Sequence, residues 1–157
     1  MTSRHIRPIA ICVIEDQGRL FVFEACDPVT GETFYRPLGG GIEFGELGVE
    51  CIVRELREEI GAEVEGITFL GLIENRFIYN GQPGHEIVLV YRARFADPHR
   101  YRDRRVQVYE EGEAFVARWV SLASFENGTA RLVPQGLLDM LGRGRCSKAQ
   151  GVLQSEQ

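Results

Sequence analysis

The sequence predicts a single mixed α/β domain. Its 157 residues lie in the ordinary range for one domain, and 44% apolar with 26% charged residues is typical of a globular chain. Runs of β-branched and aromatic residues outnumber helical patterns, and at least one amphipathic helix lies between two such runs. These observations exclude a collagen-like, a low-complexity or a fully disordered chain.

The first two strands are predicted to form a β-hairpin. Residues 7–15 are mostly β-branched and apolar, and the turn sequence DQG at 16–18 separates them from a second such run at 20–24. Residues 27–32 (DPVTGE) contain proline and glycine and therefore predict a loop.

A glycine-rich stretch and a helix follow. Five glycines lie within residues 34–48 around Pro37. The spacing of apolar residues then predicts a helix over 47–60. We expect it to end at Gly61, because glycine adopts the left-handed conformation of a helix C-cap.

The C-terminal half is predicted to consist mostly of strands joined by turns. We expect two short strands within 64–79, a turn at 80–84, strands at 87–95 and 114–122, a polar segment at 96–112, and a short helix at 134–141 with proline in its first turn. Residues 142–157 have little to bury and predict a flexible tail, so the domain is expected to cover residues 1–141.

Charge and cysteine content limit the class of partner. The net charge of −5 argues against general affinity for nucleic acid, although it does not exclude a local basic pocket. The sequence has neither a signal peptide at its start nor an apolar run of ~18 residues, which predicts a cytoplasmic protein without a membrane partner. The four cysteines lack metal-ligand spacing and are predicted to be reduced.

The predicted helix gathers three carboxylates. At about 100° per residue, its aliphatic side chains share one stripe that we expect to face the core, while Glu55, Glu58 and Glu59 occupy a separate sector about 100° wide. Glu55 and Glu59 would repel each other by ~0.2–0.5 kcal/mol without a cation. Carboxylate oxygens are the ligands that Mg²⁺ and Mn²⁺ prefer. For the helix alone, a solvated acidic face is the alternative.

The spacing outside the helix favours the metal site. Gly40, Glu46, the triplet Arg54-Glu55-Leu56, the pair Glu58-Glu59 and the pair Gly61-Ala62 follow one another at fixed intervals. This spacing resembles the Nudix box, GX5EX7REUXEEXGU, in which U is a bulky aliphatic residue. A chance match in a chain of this composition has a probability on the order of 10⁻⁵. Ala62 alone departs from the pattern, because it is small where the family has Ile, Leu or Val.

The resemblance implies an α/β/α sandwich with a mixed sheet and a hydrolase that uses divalent cations, Mg²⁺ or Mn²⁺, to clamp a diphosphate while water attacks one phosphorus. By matching position, it assigns metal binding and catalysis to Glu55, Glu58 and Glu59. It assigns orientation of the first of these to Arg54, and a metal-binding carbonyl to Gly40 in a loop. Glu46 and Gly61 match structural positions of the motif.

A further catalytic carboxylate usually lies outside the box in this family. Glu86, at the head of the strand 87–95, and Glu111, in an acidic segment with Glu110 and Glu113 that we expect to be a loop, are the candidates to test first. A merely solvated acidic loop is the alternative.

The substrate is less strongly indicated. Phe34 and Tyr79 could stack on a base, and Arg36 and Arg92 could bind phosphate, although core packing and solvated side chains are the alternatives. Between residues 92 and 105, six arginines and two aspartates leave a local charge of +4. The sequence SQPWPFPxS, typical of NADH-directed members, is absent.

The resulting prediction is hydrolysis of the pyrophosphate bond in a nucleoside diphosphate linked to another moiety. The substrate would be a nucleoside triphosphate, a dinucleoside polyphosphate or a nucleotide sugar. The alternative is a non-catalytic module with the Nudix fold that binds a nucleotide or regulates another protein. The expected partner is a small nucleotide-type molecule rather than a nucleic acid or a membrane, and the chain could form a homodimer.

Overall fold

Eight strands and two complete α-helices are seen in the computed structural model, which describes residues 4–110 and 112–143. In chain order these are β1 (Arg7–Val13), β2 (Glu15–Asp16), β3 (Arg19–Cys26), β4 (Thr33–Gly41), α1 (Gly48–Ile60), β5 (Val64–Tyr79), β6 (Gln82–Phe95), β7 (Arg105–Glu110), β8 (Glu113–Ser121) and α2 (Leu122–Glu126). A 3₁₀ helix spans Pro98–Arg102, and residues 137–143 are helical.

The strands pair in the order β5-β6-β1-β4-β3-β8-β7, with β2 beside β3. β1 and β6 run parallel and the other pairs are antiparallel, so the predicted mixed sheet is confirmed. β4 joins the two halves of this arrangement, because its first part pairs with β3 and its last four residues pair with β1.

Apolar side chains form a core on each face of the sheet. On one face, Ile52 and Leu56 of α1 pack with Leu38 and Phe21 of the sheet. On the other face, α2 and the helical residues 137–143 cover β1, β3 and β6. Helices on both faces of a mixed sheet confirm the predicted α/β/α sandwich.

The predicted hairpin at the N-terminus is wrong for most of its length. Of the residues before the turn, only those of β2 pair with β3. β1 lies instead between β4 and β6. β1 is buried over its last five residues, on both faces of the sheet. A strand that is apolar on both faces gains most from a central position, because both its faces are then covered.

Residues 64–79 form one strand, not the two predicted. The hairpin of β5 and β6 contains irregularities between Glu65 and Thr68 and between Phe69 and Gly71, which explain why the pattern looked interrupted. The turn itself is limited to Asn80 and Gly81, both with positive φ (51° and 69°), as in an Asn-Gly hairpin turn.

The C-terminal part differs from its prediction in three places. The segment 96–112 contains β7, α2 was not expected, and the last helix begins at residue 137 rather than at Pro134, after Gly136 with a φ of 95°. Residues 142 and 143 continue that helix, and the remainder of the predicted tail lies outside the described residues. In residues 4–110 and 112–143, no helix has the length and apolar character needed to span a membrane.

Candidate active site

Helix α1 is fixed at both ends by the residues that the sequence indicates. Leu47 is its N-cap residue, and the Glu50 carboxylate accepts a hydrogen bond from the Leu47 N–H at 3.0 Å. Gly61 ends the helix with a φ of 63°, and its N–H donates to the carbonyl of Arg57. The predicted helix and its C-cap are therefore confirmed.

The buried face of α1 overlaps only in part with the face that the aliphatic pattern predicts: Ile52 and Leu56 are buried as expected. Cys51 and Glu59 are buried together with the aliphatic core residues, whereas Val49 is 43% exposed. Glu59 retains only 4% of its accessible surface, so the carboxylates do not share a solvated face. Their side of the helix approaches the sheet instead.

Glycines in β4 allow this close approach. A Cβ built on Gly40 would lie 2.6 Å from the carboxyl carbon of Glu55. The Cys51 thiol lies 3.5 Å from the carbonyl oxygens of both Gly40 and Gly41, and burial raises its pKa to about 12. Gly40 pairs with Ala10 in the sheet, so the glycine run is the end of a strand and not the predicted loop.

Arg54 connects the loop, the strand and the acidic side of the helix. It donates two hydrogen bonds to the Glu46 carboxylate, at 2.7 and 3.0 Å, and one to the Gly41 carbonyl at 3.0 Å. It also donates to Glu55 at 2.8 Å and to Glu58 at 3.2 Å. The bonds from Arg54 lower the pKa of Glu46 to about 2, and they raise the pKa of Arg54 itself. This network fixes the Glu55 side chain beside Gly40.

Glu59 is the one carboxylate of α1 with a buried oxygen atom that lacks a hydrogen-bond partner among the described residues. Its Oε2 atom has no hydrogen-bond partner among the described residues. Burial, with the negative charges of Glu110 and Glu55, raises its pKa to about 9, although Arg36 acts in the opposite direction. A buried oxygen of this kind is expected to have a ligand, because an unpaired buried polar atom is costly.

Arg36 and Glu110 complete the surroundings of Glu59. Arg36 packs over the Phe23 ring at 4.9 Å, and its Nη2 lies 3.5 Å from Glu110 Oε1. Its buried Nε has no partner among the described residues. Glu110 was not singled out from the sequence. The feature of the sequence that could have identified it is the alternation of apolar and polar residues along β7. Val106, Val108 and Glu110 share the face of this strand that packs against α1.

The other predicted site residues are placed as follows. Glu58 is exposed over 60% of its side chain and lies against Arg54. Glu110 and Glu113 are strand residues paired with each other rather than loop residues, and Glu111 lies outside the described residues. Glu86 is buried and accepts a hydrogen bond from Asn75 at 3.5 Å, two strands away from β4.

Two of the four predicted substrate residues contact each other. The rings of Phe34 and Tyr79 meet edge to face at 6.0 Å between centroids, and Tyr79 is 38% exposed. Arg36 follows Phe34 on the same side of β4. Arg92 lies on the opposite side of the sheet, next to Glu15 at 3.9 Å, because Tyr91 occupies the α1 side of β6. Arg92 is therefore separated from the box.

The residues present fit a divalent cation, although no metal site is preformed. Within residues 4–110 and 112–143, no three His, Cys, Asp or Glu side chains are grouped closely enough to hold a metal ion, and Glu58 is bonded to Arg54. Two observations fit the ion: the unpartnered Glu59 Oε2, and a glycine backbone at residue 40 that leaves room beside Glu55. Hard carboxylate and carbonyl oxygens are the donors that Mg²⁺ and Mn²⁺ prefer.

Relatives of known sequence carry the same domain. A model of the NUDIX domain matches residues 4–139. The chain is 30% identical over 120 residues to an NAD-capped RNA hydrolase NudC from Pseudomonas aeruginosa, a match that covers 76% of this chain and 38% of the relative. A Mycobacterium tuberculosis protein of the same description is 36% identical over 66 residues, which cover 42% of this chain and 21% of that relative. The chain thus spans well under half the length of these relatives.

Solved structures show the same fold. A NUDIX hydrolase from Nitrosomonas europaea superposes with a TM-score of 0.65 at 16% identity, over 92% of this chain and 91% of that one. A MutT NUDIX hydrolase from Burkholderia pseudomallei gives 0.57 at 22% identity, over 76% and 86% of the two chains. Since the domain match covers most of the chain, the chain belongs to the Nudix family.

Proposed function

We propose that this chain uses Mg²⁺ or Mn²⁺ to hydrolyse the pyrophosphate bond of a nucleoside diphosphate linked to another moiety. The observation that carries the proposal is the buried, unpartnered carboxylate oxygen of Glu59 between the charges of Glu55, Glu110 and Arg36. An acid held in this position is ready to exchange its proton for a metal ion.

The ion would be held by Glu55, Glu59 and the carbonyl of Gly40, with Glu58 joining them after leaving Arg54. When bound, it neutralises charge on the diphosphate and lowers the pKa of water. Arg54 holds Glu55 in one orientation through the bond at 2.8 Å. Arg36 provides a cation for a non-bridging phosphate oxygen, and Glu110 accepts the proton of the attacking water.

The substrate is proposed at the level of a class: a nucleoside triphosphate, a dinucleoside polyphosphate or a nucleotide sugar. Phe34 and Tyr79 offer an aromatic surface for its base. The name of the NudC relatives refers to NAD-capped RNA, so we add NAD, the cap itself, to the compounds to be tested. The homodimer and the cytoplasmic location stay predictions.

A module that binds a nucleotide without cleaving it is the alternative. Three box glutamates and the arginine that orients Glu55 are all present, which favours catalysis, because binding alone does not require crowded carboxylates. Equilibrium binding of ADP-ribose in Mg²⁺, without product over hours, would favour the alternative.

A product-resolved screen tests the proposal. Nucleoside triphosphates, ADP-ribose, nucleotide sugars, dinucleoside polyphosphates and NAD are incubated with the chain in Mg²⁺, in Mn²⁺ and in EDTA. We expect turnover of at least one compound with metal and none in EDTA. Glu59→Gln should abolish that turnover, whereas Glu113→Gln, an exposed matched control, should retain it. An active Glu59→Gln variant would refute the metal assignment.

A further inference from the structure

A cleft apart from the candidate active site is lined by five arginines and two aromatic rings. Its volume is about 620 Å³, within the range of pockets that hold small ligands. Glu24 and Asp103 also line it, so the lining carries a formal charge of +3 in a chain whose net charge is −5. The arginines are Arg19, Arg102, Arg104, Arg105 and Arg118.

Three of these arginines form no ion pair with any residue that the structure describes. Arg118 is paired with Glu24 at 3.1 Å, and Arg19 is paired with Asp16 at 2.9 Å. Arg102, Arg104 and Arg105 are exposed and form no ion pair with any residue in 4–110 or 112–143. Three cations within four residues repel one another, so an anion bound among them would be favoured.

Two stacked aromatic rings line the cleft. The rings of Trp119 and Tyr101 stack with centroids 5.7 Å apart and an angle of 24° between their planes. The Arg19 guanidinium lies 4.9 Å above the Trp119 ring. Trp119 packs in turn against Phe21 and Phe95. Stacking holds the Arg19 guanidinium in one plane, and since Arg19 already donates to Asp16, it adds positive charge to the cleft while the other arginines offer their N–H groups to phosphate oxygens.

The cleft is distinct from the hydrolytic site. Arg105 begins β7 and Glu110 ends it, so the two sites lie at opposite ends of this strand, roughly 17 Å apart at ~3.3 Å per residue. Neither the box glutamates nor Arg36 lines the cleft. Binding there therefore requires no metal held by the box.

We propose that this cleft binds the phosphate groups of a nucleotide-type ligand that carries two or more phosphates. The three unpaired arginines call for more than one negative charge, and the planar guanidinium matches phosphate geometry. Such phosphates come either from a free nucleotide or from the backbone of a short RNA. In both cases the same oxygens meet the same arginines.

Tryptophan fluorescence provides a direct test, because Trp119 is the only tryptophan of the chain and lines the cleft. Wild-type protein is titrated in EDTA with inorganic tripolyphosphate, with ADP and with a short single-stranded RNA. We expect saturable binding that weakens as salt is raised. Arg102→Gln with Arg104→Gln should weaken it at least tenfold.

A charge-matched control is Arg76→Gln with Arg143→Gln, two exposed arginines outside the cleft, which should change the affinity less than twofold. Calorimetry under the same conditions detects binding that leaves the fluorescence unchanged. Tighter binding of ADP than of RNA identifies a free nucleotide, the reverse order identifies a polynucleotide, and either supports the proposal. Absence of binding for all three probes, or equal affinity in the two double variants, overturns it. Hydrolysis plays no part in this readout.

Discussion

The carboxylate of Glu55 lies against the backbone of Gly40, so closely that a Cβ at residue 40 would come within 2.6 Å of its carboxyl carbon. Arg54 holds the same carboxylate from the other side at 2.8 Å. The strand and the helix are thereby held in close contact at this point. Any side chain at residue 40 occupies that space.

Gly40→Ala is therefore expected to impair the site far more than Gly41→Ala. The new methyl group must displace Glu55, and a displacement of about 1 Å at a catalytic group can reduce the rate ~100-fold. At Gly41 a Cβ would meet only Arg7 Nη2 at 3.7 Å, an ordinary contact. Measuring kcat/KM for the best substrate and the affinity for Mn²⁺ in both variants tests this prediction. Similar losses in both variants would contradict it.

The raised pKa of Glu59 predicts how the metal-free protein responds to pH. The folded state holds this proton up to a pKa of about 9, whereas in the unfolded chain it is lost near the ordinary value of 4.5. The free energy of unfolding should thus fall between about pH 5 and pH 9, by at most ~1.4 kcal/mol per pH unit from this group. Chemical denaturation in EDTA across this range measures the slope.

Glu59→Gln removes the ionisable group and should flatten that slope, so that at pH 8 the metal-free variant is more stable than the wild type. We expect Mn²⁺ to raise the melting temperature of the wild type, and this rise should be absent in the same variant. Glu113→Gln, at an exposed position, serves as the control and should keep both behaviours. A slope that persists in Glu59→Gln would mean that another group produces it.

Glu110 is expected to act on Glu59 as well as on substrate. Its negative charge raises the pKa of Glu59, so Glu110→Gln should shift the acidic limb of the pH–rate profile to lower pH. A loss of kcat of roughly 10²- to 10⁴-fold is expected if it accepts the proton of water. The pH dependence of kcat/KM in the wild type and in Glu110→Gln measures these effects. An unchanged profile in Glu110→Gln would exclude both roles.

How far the sequence predicts the site depends on the range of the interactions. The position of α1 and its end at Gly61 follow from local spacing and capping, which a sequence contains in full. The orientation of α1 does not, since it depends on the close approach of the Glu55 side chain to Gly40 of β4, far from the helix in local spacing. Hydropathy alone places a glutamate in solvent.

Long-range pairing accounts for the other differences. β1 looked like half of a hairpin because its neighbours in sequence are a turn and a strand, yet its partners β4 and β6 lie farther along the chain. Glu110 is 51 residues beyond Glu59 by the numbering, and only the pairing of β7 with β8 brings it to α1. Arg92 faces away from α1 because the pairing of β6 with β1 determines which of its side chains point to each face of the sheet.

Arg54 is predicted to be essential to the loop as well as to catalysis. Arg54→Ala leaves Glu46 and Glu55 without their cation in a partly buried setting, and should lower the free energy of unfolding by about 2 kcal/mol. Arg54→Lys keeps the charge but loses the paired bonds, so kcat should fall while most stability is retained. Arg57→Ala, which breaks an exposed ion pair with Glu63, should change stability little. Equal destabilisation by the two alanine variants would contradict the prediction.

Arg100 is predicted to stabilise the end of α1 that carries Glu59. It donates to the carbonyl of Ile60 at 3.0 Å and to that of Gly61 at 2.8 Å, which occupies helix-terminal carbonyls and places a cation at the negative end of the helix dipole. Arg100→Ala should lower the free energy of unfolding by about 1–2 kcal/mol, measured with urea, and Arg100→Lys by less because its charge remains. Arg102→Ala, in the same 3₁₀ helix, is the control and should have little effect. If Arg100→Ala matches this control, the helix end is held by Gly61 alone.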